Sequence, residues 1–321
     1  MSHDLVGLGE VMLRLAAPPP TRLEQSTALD VQIGGSEANV AAACARLGLR
    51  TAVLSAVPGD HVWGDRIVRE LSGHGVDTRG VLRPLGARLG LYFLEYGRAP
   101  RPVRVIYDRR DSAFSRLGPD DLDWSLVRAS RCFHVSGVTA ALGENLRAVT
   151  RRGVQEAQAA AVPVSLDVNY RSRLWTPKEA GDFFAGVLPA ARYLFVGSDD
   201  ARTVFQLDGE PERVLADLAR LAPAATISLT LGEAGAAVLA DGRVWRPSRL
   251  YTVSIVDLVG AGDAYAAGFL WAALGGRPVQ ESVDVGTALA ALKCTIWGDV
   301  ALVTRAELDE LLASDRPDIR R

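Results

Sequence analysis

The stretch Asp257-Leu258-Val259-Gly260-Ala261-Gly262-Asp263-Ala264 has the residue types and spacing best able to do chemistry. A strand is expected to end near Val256, glycines follow, and a helix is expected to start around Asp263. Gly260, Ala261 and Gly262 let successive backbone N–H groups face one concavity, and a helix start adds about half a positive charge. That makes an anion site without lysine. Asp263 stands at its rim, where a carboxylate is repelled unless it accepts a proton from a hydroxyl attacking a phosphate. A charge-stabilising cradle, a positioned nucleophile and a base within reach are what phosphoryl transfer needs. Read alone, the same residues also fit a plain helix N-cap with glycines for close packing.

Two further clusters point the same way. Ile33-Gly34-Gly35-Ser36-Glu37-Ala38-Asn39-Val40 puts paired glycines before a helix, with Asn39 one turn inside. Backbone exposed at Gly34 and Gly35, with the Asn39 amide, could hold sugar hydroxyls; a flexible helix entry is the plainer reading. Thr230-Leu231-Gly232-Glu233-Ala234-Gly235 closes a strand. In open parallel sheets ligands bind beyond the carboxyl ends of strands, where these clusters would converge.

The elements that must position them alternate between strand and helix. Strands are expected at Asp4–Gly9, Thr51–Val57, Arg131–Ser136, Val162–Val168, Tyr193–Val196, Ala225–Leu231 and Thr252–Val256. Helices are expected at Ser36–Leu47, Asp65–Ser72, Glu144–Ala160 and Pro211–Leu221, two of them closed by Gly48 and Gly73. Asp263–Leu274 reads apolar nearly all round, as a fully buried helix would, with Val279–Trp297 packed beside it. Asp241-Gly242 marks a two-residue hairpin turn. This pattern predicts an α/β fold, a mostly parallel sheet covered by helices on both faces. Arg88–Tyr96 and Val103–Tyr107 instead form a hairpin with no helix between, and Arg14–Val31 fits no regular layer. Residues 12–33 and 88–110 are therefore expected to build a small β lid on one domain spanning 1–321.

Composition and missing motifs exclude other classes. The 38 acidic and 36 basic residues leave a net charge of −2, too little positive field for nucleic acid or a membrane surface. No apolar run approaches a bilayer span, and Met1-Ser2-His3-Asp4-Leu5 lacks a signal-peptide profile. Cys44, Cys132 and Cys294 read as unpaired thiols in a reducing cytosol, so a cytoplasmic location is expected. The two lysines, Lys178 and Lys293, do not follow glycine, which excludes a Walker loop; no Gly-x-Ser-x-Gly elbow is present. His134 sits in an apolar strand and reads as a core histidine. Gly7-Leu8-Gly9 and Gly260-Ala261-Gly262 lack the third glycine of a dinucleotide fingerprint.

The clusters at 34–39 and 257–263 resemble the two signatures of the ribokinase (phosphofructokinase-B) family of sugar kinases, in order along nearly the whole chain. Within that family the sequence is most similar to the 2-keto-3-deoxygluconate kinases. Supporting stretches are Gly90–Glu95, Val105–Arg109, Ser112–Phe114, Ser136–Thr139 and Leu166–Arg171 with Leu174-Trp175. The resemblance implies a ribokinase-like fold and ATP-dependent phosphorylation of the sugar acid's C6 hydroxyl, with Asp263 as base and Gly260–Gly262 as anion hole. It implies ATP contacts from Asn169, Tyr170, Arg171 and the turn formed by Thr230, Leu231, Gly232, Glu233, Ala234 and Gly235. Acid-sugar contacts would come from Gly34, Gly35, Asn39, Tyr92, Tyr107, Arg109, Arg171 and Asp299. Mg2+ is the implied metal, K+ a possible second cation, and a homo-oligomer through the lid the implied assembly. Fructokinase or ribokinase activity, or a non-catalytic sugar-binding regulator, are the alternatives. The family's common Asn-x-x-Glu is here Gly197-Ser198-Asp199-Asp200, which leaves Asp200 as the candidate carboxylate for magnesium.

Overall fold

The computed structural model describes residues 2–97 and 100–314. The strands are β1 (Leu5–Leu8), β2 (Met12–Ala16), β3 (Asp30–Gly34), β4 (Thr51–Ala56) and β5 (Val76–Asp77). Next come β6 (Val81–Leu82), β7 (Leu91–Glu95), β8 (Arg104–Asp108), β9 (Phe133–Ser136) and β10 (Val164–Asp167). The last are β11 (Ala191–Gly197), β12 (Thr226–Thr230), β13 (Ala236–Ala240) and β14 (Arg243–Trp245).

Ten strands form one sheet in the order β14-β13-β12-β11-β10-β9-β1-β4-β5, with β6 also paired to β4. From β5 to β12 every pair is parallel; β13 and β14 add an antiparallel edge. Side chains alternate between two apolar layers. On β11, Leu194 and Val196 pack into one layer while Phe195 enters the other. The first layer lies under the helices Glu144–Ala159, Pro177–Val187 and Pro211–Leu221. The second lies under Ser36–Arg46, Ala261–Leu274 and Val279–Cys294. Ala261–Leu274 is buried along nearly its whole length, which explains its all-apolar sequence. This is the ribokinase-like α/β architecture.

A second, four-stranded sheet runs in the order β3-β2-β7-β8. The expected hairpin is its β7–β8 pair, although residues 98 and 99 of the connecting loop lie outside the described residues. The stretch expected to fit no regular layer instead donates β2 and β3 from its two ends. β2 pairs parallel with β7, so the two parts of the lid are one sheet.

Thr252–Val256 is not a strand. Its chain ends the irregular segment after β14, and the Val256 and Asp257 N–H groups donate to the Cys294 carbonyl, at 2.8 and 3.1 Å. A helix end, not a neighbouring strand, satisfies that backbone. The turn at Asp241-Gly242 has φ of 50° and 73°, which suits a tight hairpin between β13 and β14. His134 is buried, shares a 2.9 Å hydrogen bond with Ser165 and has its pKa lowered to about 4 by burial. None of the three cysteines is in a disulfide. Among the described residues no helix is long and apolar enough to cross a membrane.

Candidate active site

The carboxyl ends of the parallel strands supply one wall of the site. Ser136 of β9 pairs with Asp167 of β10, and Gly197 of β11 with Thr230 of β12, so these termini stand in a row. The helices Ser36–Arg46 and Ala261–Leu274 bring their first turns to the same place. Gly260, at φ 85°, caps the second helix, and a side chain there would strike the Asp299 carbonyl. At Gly262 an added Cβ would meet no atom within 4 Å. The first glycine is thus required by close approach, while the second leaves open space at a helix N-terminus, where an anion is favoured.

Asp263 lies in the first turn of that helix and is buried. Its Oδ1 accepts from the Ser36 hydroxyl and its Oδ2 from the Asn39 amide, both at 2.7 Å. Burial pushes its pKa above the usual carboxylate range, and these two donors oppose the shift. A carboxylate with a raised pKa suits a general base. Among the described residues the buried Asn39 Oδ1 has no hydrogen-bond partner.

The network continues toward the nucleotide side. The Asn169 amide donates to Ser36 Oγ at 2.9 Å and to Asp167 Oδ2 at 3.3 Å, from a backbone held at φ 39°. The Tyr170 N–H donates to Asp200 Oδ2 at 3.1 Å, while its hydroxyl turns inward to the Trp175 carbonyl. Tyr170 therefore contributes its backbone here and packs its ring on the core. Asp167 is pushed well above its ordinary pKa by burial and by the charges of Asp263 and Asp200. Asp200 is raised by burial. Arg171, exposed and with no side-chain hydrogen bond or ion pair among the described residues, is the cation whose field reaches all three carboxylates.

Toward the lid, Tyr92 of β7 donates to Asp299 Oδ2 at 2.6 Å. Gly34 is glycine because a Cβ would land on the Tyr92 hydroxyl and 2.6 Å from Asp299 Oδ2; at Gly35 it would strike the Glu10 carbonyl. Tyr107 lies 6.1 Å from Tyr92, ring to ring, and Arg109 sits over its face at 5.5 Å. Arg109, expected as a contact for the sugar acid, already has a protein carboxylate as its partner. It is buried in an ion pair with Glu10, through Nε at 2.7 Å and Nη2 at 2.6 Å.

Four further residues were not singled out from sequence. Ser36 joins Asp263 to Asn169, and its place between Gly35 and Asn39 was the available signal. Glu10 has no motif around it. Asp167 ends the core strand β10, one residue before Val168-Asn169. Arg14 is fully buried on β2 and donates to Asp257 at 2.6 Å, and also to Asp299 and the Tyr96 hydroxyl. Among the described residues no group of three or more His, Cys, Asp or Glu side chains forms a metal cage. A magnesium ion carried on phosphates needs only one or two carboxylates, and the under-neutralised charge of Asp167 and Asp200 fits such an ion.

Comparison with known proteins agrees with this geometry. The family model described as pfkB family carbohydrate kinase matches residues 2–303. A 2-dehydro-3-deoxygalactonokinase of Haloferax volcanii is 39% identical over 321 residues, all of both chains. A 2-dehydro-3-deoxygluconokinase of Thermoproteus tenax is 33% identical over 315 residues, 96% of this chain and 94% of that one. The crystal structure of a 2-dehydro-3-deoxygluconokinase from Thermotoga maritima superposes with a TM-score of 0.91 at 32% identity, covering 98% of this chain and 99% of that chain. With the lid, the anion-hole turn and the buried carboxylate all in place, this chain belongs to the pfkB family of carbohydrate kinases.

Proposed function

We propose that this kinase phosphorylates 2-keto-3-deoxygluconate at the C6 hydroxyl with ATP, giving 2-keto-3-deoxy-6-phosphogluconate and ADP. The observation that carries the reading is Asp263, a buried carboxylate of raised pKa, beside the open space at Gly262. As the C6 oxygen attacks the γ-phosphorus, Asp263 takes its proton. The new O–P bond forms while the bond to the ADP oxygen breaks, and the Gly260–Gly262 amides face the charge on the transferring group. Asn39 and Ser36 hold the carboxylate in line, so the base spends no free energy on orientation during the step.

The sugar acid would lie against Gly34, Asn39, Tyr92, Tyr107 and Asp299, with its carboxylate toward Arg171 and Arg109. ATP would lie along Asn169, Tyr170 and the Thr230–Gly235 turn, where half-exposed Leu250 packs against Gly235 as an apolar surface for a base. Magnesium, when bound with ATP, supplies neutralisation of phosphate charge; Asp200 is the residue we assign to it, with Asp167 beside it. Unpaired thiols and a requirement for ATP support a cytoplasmic location, and the lid is the surface we assign to self-association.

A coupled ADP-release assay over 2-keto-3-deoxygluconate, 2-keto-3-deoxygalactonate, fructose and ribose tests the reading. The sugar acids should have the highest kcat/KM, and chelation should abolish turnover until magnesium returns. A preference for fructose or ribose would contradict the acid-sugar assignment.

A further inference from the structure

Lys293 is one of two lysines in the chain and is completely buried. It lies near the end of the helix Val279–Cys294, and its Nζ donates to two backbone carbonyls, Asp257 at 2.9 Å and Ile296 at 3.3 Å. The Asp257 carbonyl opens the turn that runs through Gly260 to Asp263. That turn is docked on residues 294–299 at further points. The Val256 and Asp257 N–H groups meet the Cys294 carbonyl, the Gly298 N–H meets Asp257 Oδ2 at 3.0 Å, and Gly260 lies against the Asp299 carbonyl. Among the described residues no carboxylate oxygen bonds the ammonium; carbonyl oxygens do, as they do for a dehydrated alkali cation. Asp257 and Asp299 nearby oppose the burial that would discharge it.

We propose that the Lys293 ammonium is a built-in cation of the anion-hole turn, standing where carbonyl oxygens would otherwise invite a potassium or ammonium ion, and that it positions Gly260–Asp263 for transfer. This rests on the assignment of Gly260–Asp263 as the transfer site. Lys293 is a positioning residue: it touches neither sugar nor ATP, and it acts through the Asp257 carbonyl. A covalently held cation cannot be lost, so the wild-type enzyme needs no monovalent ion.

The test compares turnover in potassium, sodium and tetramethylammonium chloride at matched ionic strength, for wild type and Lys293→Met, with ammonium chloride added as a rescue arm for the variant. Wild type should show equal kcat in all three. Lys293→Met should lose about 10- to 100-fold in kcat with smaller changes in either KM, and ammonium or potassium should restore part of kcat while tetramethylammonium does not. Several-fold activation of wild type by potassium would overturn the proposal. So would a folded Lys293→Met variant with unchanged kcat, or one whose lost kcat no small cation restores. If Lys293→Met does not fold, the wild-type comparison still decides, with Lys293→Arg as the second variant: it should keep cation-independence with reduced kcat, and potassium activation of it would contradict the assignment. The transfer-site assignment fails separately, through an Asp263 variant that retains turnover.

Discussion

Two groups of buried charge flank the start of the helix Ala261–Leu274, and they differ in how completely they are paired. On the lid side, Arg14 meets Asp257, Asp299 and Tyr96, and Lys293 meets two carbonyls. On the other side, among the described residues, Asp263, Asp167 and Asp200 accept from neutral donors only, and Arg171 reaches them through its field. Matched charge can hold a loop in one place, because removing either partner strands the other in a low dielectric. Unmatched buried carboxylates cost stability and are retained where a proton or a cation must be received. On the proposed reading the first group is scaffold and the second is chemistry.

That division can be broken at either end. Asp263→Asn should lower kcat by about 10² to 10⁴ while ATP affinity, measured by titration calorimetry, changes little, because the backbone cradle survives. Arg14→Leu should do the reverse. It leaves Asp257 and Asp299 buried and unpaired, at about 3–5 kcal/mol in denaturant unfolding. An Arg14→Leu protein of wild-type stability would show that the lid-side charges do not hold the scaffold.

The two arginines proposed to meet the sugar acid sharpen the comparison. Arg171→Ala removes an unpaired cation, so kcat/KM for the sugar acid should fall by roughly 10- to 150-fold with fructose much less affected and melting unchanged. Arg109→Ala strands Glu10 and should lower the melting temperature before it alters specificity. The smallest effect is expected at Asn39→Ala. Asn39 donates to Asp263 and lowers its pKa, so the variant's acid limb of kcat/KM should move to higher pH. Catalysis needs the ionised form, and activity would be lost earlier as pH falls. An acid limb that stays put would remove Asn39 from the control of Asp263.

Much of the scaffold was legible because periodicity reports burial. The all-apolar Asp263–Leu274 stretch and the alternating core strands leave no other place to go. Thr252–Val256 misled for the same reason, since a β-branched segment looks like a strand whether its N–H groups meet a strand or the Cys294 carbonyl. Asp263 and the glycine turn were visible as a motif. Arg14, Glu10 and Lys293 were not, because each acts on residues far away in the chain: Arg14 lies 285 positions from Asp299 and Arg109 lies 99 from Glu10. In a chain whose basic residues are nearly all arginine, nothing local distinguishes a paired guanidinium from a free one.

The claim that Asp263 is chemistry held against stability has a direct test, thermal melting of Asp263→Asn beside its turnover at pH 8. The folded-state pKa of Asp263 is raised, so its ionisation penalises folding at every pH above that value and is absent below the unfolded one. A neutral amide escapes the penalty, and the unpaired Asn39 Oδ1 can turn to accept from it. The prediction is a melting temperature equal to or above wild type with turnover nearly abolished. A variant that melts well below wild type and turns over normally per folded molecule would make Asp263 a structural cap and contradict the account.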